Sequence, residues 1–276
     1  MIMFNMSHNM SVTPLKIKNK TITLRQFEST ESELKSCLQI QHDTWGKHAG
    51  DVPLNLLKIN LMLGGIVAGA FDEDGRCLGI IISMPGQFRS ESAHWSYRLA
   101  VTPEMREFNL GRKLKDYQRE LCKAKGIDAI YWTYDPLQSK NAHFNINKLG
   151  CQIVEYQENF LPESSPELHL GMGGTDRFVV RWDTTQEVVP PTFSKEEKQA
   201  MPILTSDTQD KLEILSTPFK LSIPTDINVI KHDDPKQSER LRYETRSLFQ
   251  DCLERGKEVV GFYKDDEKES SFYILQ

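Results

Sequence analysis

The sequence predicts a mixed α/β fold: helices layered on a central mixed (α+β) sheet, then a C-terminal strand–helix–hairpin extension. Three observations predict it. Strand-like alternation opens the chain at "TITLRQF" (21 to 27), where Ile22 and Leu24 share one side. Helical periodicity recurs between strands, most clearly where Leu110, Leu114, Tyr117, Leu121 and Ala124 fall on one stripe. The resulting order is strand, helix, a run of strands, helix, strand, helix and two strands, which layers helices on a sheet.

Taken in order, residues 31 to 45 read as a helix with Leu34, Leu38 and Trp45 near one face. "GGIVAGAF" and "CLGIIISMPGQF" flank "DEDGR", whose Asp74-Gly75 supplies a hairpin turn. "HWSYRLAV" is the next strand; alternation puts Trp95, Tyr97, Leu99 and Val101 on one face and His94 on the other, where an exposed histidine is expected. The amphipathic helix after it stops at Gly126. "DAIYWTYDP" is a strand that breaks at Pro136, and Ala142, Ile146 and Leu149 form the buried stripe of a following helix. "CQIVEYQENF" and "DRFVVRWD" complete the strands of a domain spanning 1–185.

Residues 186–219, with Pro190, Pro191, Pro202 and Pro218 and little periodicity, read as a linker or irregular wrap. The extension, 220–276, starts with the strand "LSIP". Its helix, from about 235 to 255, is signalled by Asp234 as N-cap, Pro235 at the first position, Gln237 to complete a capping box, and Gly256 as the stop. A hairpin from 258 to 276 closes the chain. So short a unit, about 55 residues, holds little core of its own, so it is expected to pack on the main domain or on another subunit.

Composition narrows the function. Hydrophobic residues make up 38% of 276, enough for a packed core, and no apolar run approaches the roughly 18 residues that span a bilayer. "MIMFNMSHNMSV" has no basic region before its apolar residues, so no signal peptide is expected. Five cysteines, odd in number and far apart, predict reduced thiols and a cytoplasmic protein. A net charge of -5 argues against general nucleic-acid binding. Cys37, His42 and His48 match no zinc spacing, so no metal is expected. "GMGGTDR" leads into a strand rather than a helix and reads as a turn or lid.

One stretch runs against the overall charge. In "RLAVTPEMREFNLGRKLKDYQRELCKAKG" a loop, 106 to 111, joins a strand end to a helix N-terminus. Free amides and the helix dipole make such a terminus receptive to anions. From 106 to 125 seven basic residues stand against three acidic ones, which suits either an anionic ligand or an ordinary solvated helix face.

The order of elements, and "LAVTPEMREFNLGRKL" above all, resembles the GNAT superfamily of acyl-CoA-dependent N-acetyltransferases. There, an R/Q-x-x-G-x-G/A loop between the fourth strand and a long helix holds the CoA pyrophosphate. Arg106, Asn109 and Gly111 stand at its three positions. "YWTYDPLQSKNAHFNINKLG" followed by "TDRFVVRW" is similar to a subfamily of predicted acetyltransferases; this narrower likeness reaches the extension through "IPTDI". The sequence departs from the pattern at Asn109, where a glycine is usual, and at Glu107 and Phe108, where glycine and a basic residue are common. Asn enters the left-handed region more readily than most residues. A Glu107 carboxylate about 4 Å from a phosphate costs roughly 1 kcal/mol in water-like surroundings.

The resemblance implies a GNAT-like fold over roughly 21 to 183, with acetyl-CoA as co-substrate and transfer to an amine by direct attack in a ternary complex. The implied donor-binding residues are Arg106, Glu107, Phe108, Asn109, Leu110, Gly111 and Arg112, with Asn141 along the pantetheine arm. Backbone N–H groups near Leu99, Ala100 and Val101 would face the developing oxyanion, a contribution of about 3 kcal/mol in comparable sites. The usual acid, a tyrosine four residues before the glycine that ends the next helix, is here Ile146. Tyr134 and Asp135 are the nearest replacements, although Asp135 suits equally a cap on the turn before the helix. The acceptor would be a small-molecule or peptide amine, with no nucleic acid and no membrane. The closing hairpin offers an edge for a homodimer. Two rival readings stay open: an acyl-CoA-binding protein without catalysis, and an interaction scaffold.

Overall fold

Alternation and turn chemistry decide the first half of the chain. In the computed structural model, which describes residues 14–17, 20–47, 50–161, 173–208, 218–265 and 270–276, two compact units are formed, residues 1–128 and 129–276. The methionine-rich start, His48, Gly171, Met172 and the tip of the closing hairpin lie outside the described residues.

In the first unit, β1 (Leu15–Ile17), β2 (Lys20–Gln26), β3 (Ile66–Phe71), β4 (Cys77–Phe88) and β5 (Glu91–Val101) lie side by side in that order, each antiparallel to the next. β3 is buried on both faces, which is why "IVAGAF" carries no polar alternation. The β3–β4 turn closes on Asp72, whose carboxylate accepts from the Arg76 amide, with Gly75 at φ 77°. Helix α1 (Glu31–Trp45) buries Leu34, Cys37, Ile40 and Gln41, a stripe shifted from the Leu34–Leu38–Trp45 expectation. Gln41 is tolerated inside because its side-chain oxygen accepts from the Val52 amide at 2.9 Å. Helix α2 (Leu54–Met62) has no counterpart in the sequence reading: its apolar residues occupy both the buried face (Leu57) and exposed positions (Leu56, Ile59, Met62), so no stripe announces it.

β5 corrects a second expectation. Its buried residues include His94, Ser96 and Ala100, while Tyr97 is 42% exposed. The register passes from Ile82↔Arg98 to Ser83↔Ser96, so Tyr97 is an extra residue in a bulge. One inserted residue exchanges the two faces of a strand, and no single alternating set can run from Trp95 to Val101. Helix α3 (Leu110–Ala124) follows, seated by fully buried Leu110 and Leu114.

In the second unit, β8 (Arg177–Asp183) lies between β6 (Ala129–Tyr134) and β7 (Gln152–Gln157), antiparallel to both. The stretch after β6 is a short α4 (Ser139–Ala142) that widens into a π-helical turn, His143–Lys148, where one continuous helix was expected. The expected wrap, 186–219, contains α5 (Lys195–Ala200), opened by a reciprocal Ser194–Glu197 capping box, and the short β9 (Ile203–Leu204). The extension holds β10 (Phe219–Pro224), α6 (Ile227–Asp233), α7 (Pro235–Glu254), β11 (Val259–Asp265) and β12 (Ser270–Leu275). A second sheet, ordered β11-β12-β10-β9, mixes one parallel pair with antiparallel ones. Asp234 caps α7 through the Gln237 amide at 3.0 Å. Phe178 of β8, Phe249 of α7 and Tyr273 of β12 pack edge to face at 4.8 to 5.7 Å, so the extension shares its core with the β6–β8 strands.

Candidate functional site

The junction of β5 and α3 gathers most of the residues singled out in the sequence. Ala100 is buried and Leu99 and Val101 are half-buried at the strand end. The Thr102 amide makes one last bond, to Leu78 O at 3.0 Å, before the chain leaves the sheet. Pro103–Phe108 forms a 3-10 turn with Met105 buried beneath it and Arg106 and Glu107 exposed, tighter than the open loop expected at 106 to 111. Asn109 then takes φ 57°, ψ 21°, the left-handed conformation that asparagine tolerates. Its carbonyl accepts from the Lys113 amide at 3.1 Å and starts α3, while its side chain makes no cap bond.

A Cβ added at Gly111 would meet Val101 Cγ2 at 3.8 Å and Leu99 Cδ2 at 3.9 Å, ordinary contact distances. The first turn of α3 therefore lies over the end of β5, and packing alone does not demand glycine at 111. A fifteen-residue helix presents a partial positive charge at this end. Arg112 pairs with Asp116 at 2.8 Å along the helix surface. An acyl-CoA diphosphate fits this terminus chemically: uncapped by the Asn109 side chain, exposed at Arg106 and Asn109, and flanked by a local surplus of positive charge. The Glu107 carboxylate is exposed beside it.

Beneath α3 lies a polar cluster that periodicity did not reveal. The Ser83 hydroxyl and His94 Nδ1 are 2.9 Å apart, both buried, and the Asn60 amide donates to Ser83 O at 3.0 Å. Burial, reinforced by the charge of Lys125, pulls the His94 pKa down to about 4. His94 is thus a neutral buried histidine, not the exposed one expected. Lys115, 3% exposed, donates to Ser96 Oγ at 2.8 Å and to Gln118 Oε1 at 3.3 Å. Hydroxyl and amide oxygens dispersed along β5 and α3 satisfy the ammonium, and such partners leave no spacing motif. Elsewhere in this unit His42 Nε2 meets Asp51 Oδ2 at 2.6 Å. Among the described residues no group of three or more His, Cys, Asp or Glu could hold a metal ion.

Tyr134, Asp135 and Asn141 belong to the second unit. Tyr134 is buried, its hydroxyl 3.4 Å from that of Tyr273, and burial pushes its pKa well above the usual 10. Asp135 Oδ1 accepts from the Leu137 amide at 2.9 Å, capping the turn at Pro136, and both carboxylate oxygens accept from Arg242 at 2.7 Å. Of its two sequence readings, the geometry displays the turn cap. Asn141 is exposed on α4. Ile146 is buried, 2% exposed, at the position where the tyrosine is usual. Asn145 accepts from Trp132 Nε1 at 3.2 Å, and Asn147 donates to Phe262 O at 2.6 Å.

All five cysteines are buried and none forms a disulfide; burial raises the Cys77, Cys122 and Cys252 thiols to about 12. No helix among the described residues is long and apolar enough to cross a membrane.

No protein-family model matches the chain, and no curated protein matches it in sequence. Solved structures do. The ribosomal-protein-S18-alanine N-acetyltransferase of Escherichia coli aligns at 14% identity and a TM-score of 0.46, over 62% of this chain and 99% of its own. An aminoglycoside 6'-N-acetyltransferase complexed with coenzyme A aligns at 16% and 0.45, over 59% and 98%. A GNAT-family acetyltransferase from Staphylococcus aureus aligns at 18% and 0.42, over 59% and 99%. Some two-fifths of this chain's length lies outside each of these alignments.

Proposed function

We propose that this chain is an acyl-CoA-dependent N-acyltransferase that moves an acetyl group from acetyl-CoA to a small-molecule or peptide amine. One observation supports the reading: β5 bends through a left-handed Asn109 into a long helix whose first turn lies over the strand end, at the residues that stand at the pyrophosphate-motif positions. Amides of 109 to 112 and the dipole of α3 would hold the diphosphate, with Arg106 in reach of its oxygens. The N–H groups of Leu99 to Val101 would orient the thioester carbonyl and stabilise the developing oxyanion. Asn141 would contact the pantetheine arm.

Transfer forms a bond from the amine nitrogen to the acyl carbon and breaks the carbon–sulfur bond; the amine loses a proton and the thiolate gains one. Tyr134, with its pKa raised by burial, and Asp135, bound by Arg242, are poorly disposed to supply that proton. We assign it to solvent, since a thiol of pKa near 8.5 leaves tolerably unaided. A second reading, acyl-CoA binding without transfer, is favoured by Ile146 in place of the customary tyrosine.

Calorimetric titration with acetyl-CoA, followed by free-thiol release across a panel of amines, separates the readings. Saturable binding with amine-dependent thiol release supports the transferase. Binding without release leaves the binder, and no binding removes both. Glu107→Gln should tighten acetyl-CoA binding if this carboxylate faces the diphosphate, by up to about fivefold for roughly 1 kcal/mol relieved.

A further inference from the structure

Residues 135–148 form a turn, a short helix and a π-helical turn, none of which is stable alone: α4 has four residues, and π geometry is uncommon outside single turns. Their inner side is tied to the C-terminal extension at five points. Arg242 of α7, 0% exposed, donates two bonds of 2.7 Å to Asp135. The Tyr273 hydroxyl of β12 donates to Pro136 O at 2.7 Å. Gln138 exchanges side-chain amide bonds with Asn228 of α6 at 3.3 and 3.4 Å. Ser139 Oγ lies 2.8 Å from Ser271 Oγ of β12, and Asn147 donates to Phe262 O of β11 at 2.6 Å. The outer side presents Lys140, Asn141 and His143, all exposed.

We infer that the extension is a clasp that imposes the shape of 135–148, and that its docking sets the affinity for the acyl donor through Asn141 and its neighbours. The first half stands on the contacts above; the second rests on the acyl-transferase reading. The physical case is one of cost. A segment built of one short α turn and one π turn gains much of its order from partners fixed elsewhere. Here those partners come from four separate elements of the extension, so undocking any one loosens the outer face. Asp135 makes the coupling sharp, because without Arg242 a buried carboxylate keeps only the Leu137 amide and Arg177, at 4.0 Å, to offset its charge. Linkage then requires the reverse effect: a donor bound to the ordered segment must hold the extension more firmly. A protein partner that drew α7 or the hairpin away would lower donor affinity without touching the site, which makes the extension a regulatory handle.

The test uses three variants of the full chain. Ser271→Ala and Tyr273→Phe each remove one clasp bond from the side of the extension. Arg246→Met alters the same helix α7 but its bonds go to Asp176, Glu158 and Gly173 O, outside the segment. Amide hydrogen exchange at 137 to 148 should quicken about tenfold in the first two and stay at the parent rate in Arg246→Met, whatever its loss of global stability. Acetyl-CoA dissociation constants should rise in the same two, by about five- to tenfold, and saturating acetyl-CoA should slow exchange in α7 and β11–β12 of the parent. Unchanged exchange at 137 to 148 in both clasp variants overturns the clasp. Quickened exchange with an unchanged dissociation constant overturns its link to the donor. If the parent chain binds no acetyl-CoA while the exchange pattern holds, the acyl-transferase reading fails and the clasp stands.

Discussion

At the β5–α3 junction the backbone bonds within the bend join near neighbours, Met105 N to Thr102 O and Lys113 N to Asn109 O, and its longer ties, Thr102 N to Leu78 O and Arg76 to Glu104, span fewer than 30 positions. Across 135–148 the bonds to the extension join residues from 90 to 137 positions apart. The first region is written mostly in its own few residues and the adjoining hairpin; the second is held by chain that follows long after it. A junction of the first kind keeps its shape when distant residues change. A segment of the second kind inherits the stability of whatever holds it.

The largest effect should come from the long-range side. Arg242→Met removes both short bonds to buried Asp135, leaving it the Leu137 amide and Arg177 at 4.0 Å, and should lower unfolding free energy by about 3 kcal/mol in urea titration. Adding Asp135→Leu should restore much of that loss. A single-variant loss below about 1 kcal/mol would break the contrast. In the first unit, His94 supplies a long-range term of its own. In the unfolded chain the imidazole titrates near 6.5, whereas folded it titrates at about 4. As pH falls from 7 to 4 the unfolded chain takes up this proton first, so stability declines across that window and levels off below it. The full contribution is about 3 kcal/mol, and replacing His94 with Gln should flatten that part of the pH–stability curve.

Smaller effects sharpen the local side. Asn109→Val should cost about 1 to 2 kcal/mol, because a β-branched residue resists the left-handed region, whereas Asn109→Gly should change thermal stability by only a few tenths. Asp234→Ala removes the α7 cap and should cost about 1 kcal/mol.

The same contrast explains what could be read from the sequence. Helix α3 was legible because Leu110, Leu114 and Leu121 repeat at helical spacing, and Asn109 was legible as a residue able to take the left-handed conformation in place of glycine. The α7 start was legible from Asp234 and Pro235. By contrast, the β5 bulge at Tyr97 depends on its pairing with β4, and alternation cannot register an inserted residue. The π turn at 143–148 arises where Asn145 answers Trp132 and Asn147 answers Phe262, partners invisible to periodicity. Asp135 could be foreseen as a turn cap but not as the partner of Arg242, 107 residues away. Local chemistry is readable in order along the chain; long-range pairing is not.

Acetyl-CoA titration of the parent chain against Gly111→Asp tests the central claim most directly. A Cβ there meets only Val101 and Leu99 at ordinary distances, and a carboxylate suits the positive end of α3, so folding should be kept. The account predicts saturable one-site binding in the parent and at least tenfold weaker binding in the variant. Equal affinity in both, with the variant folded, would contradict a diphosphate site at this helix terminus.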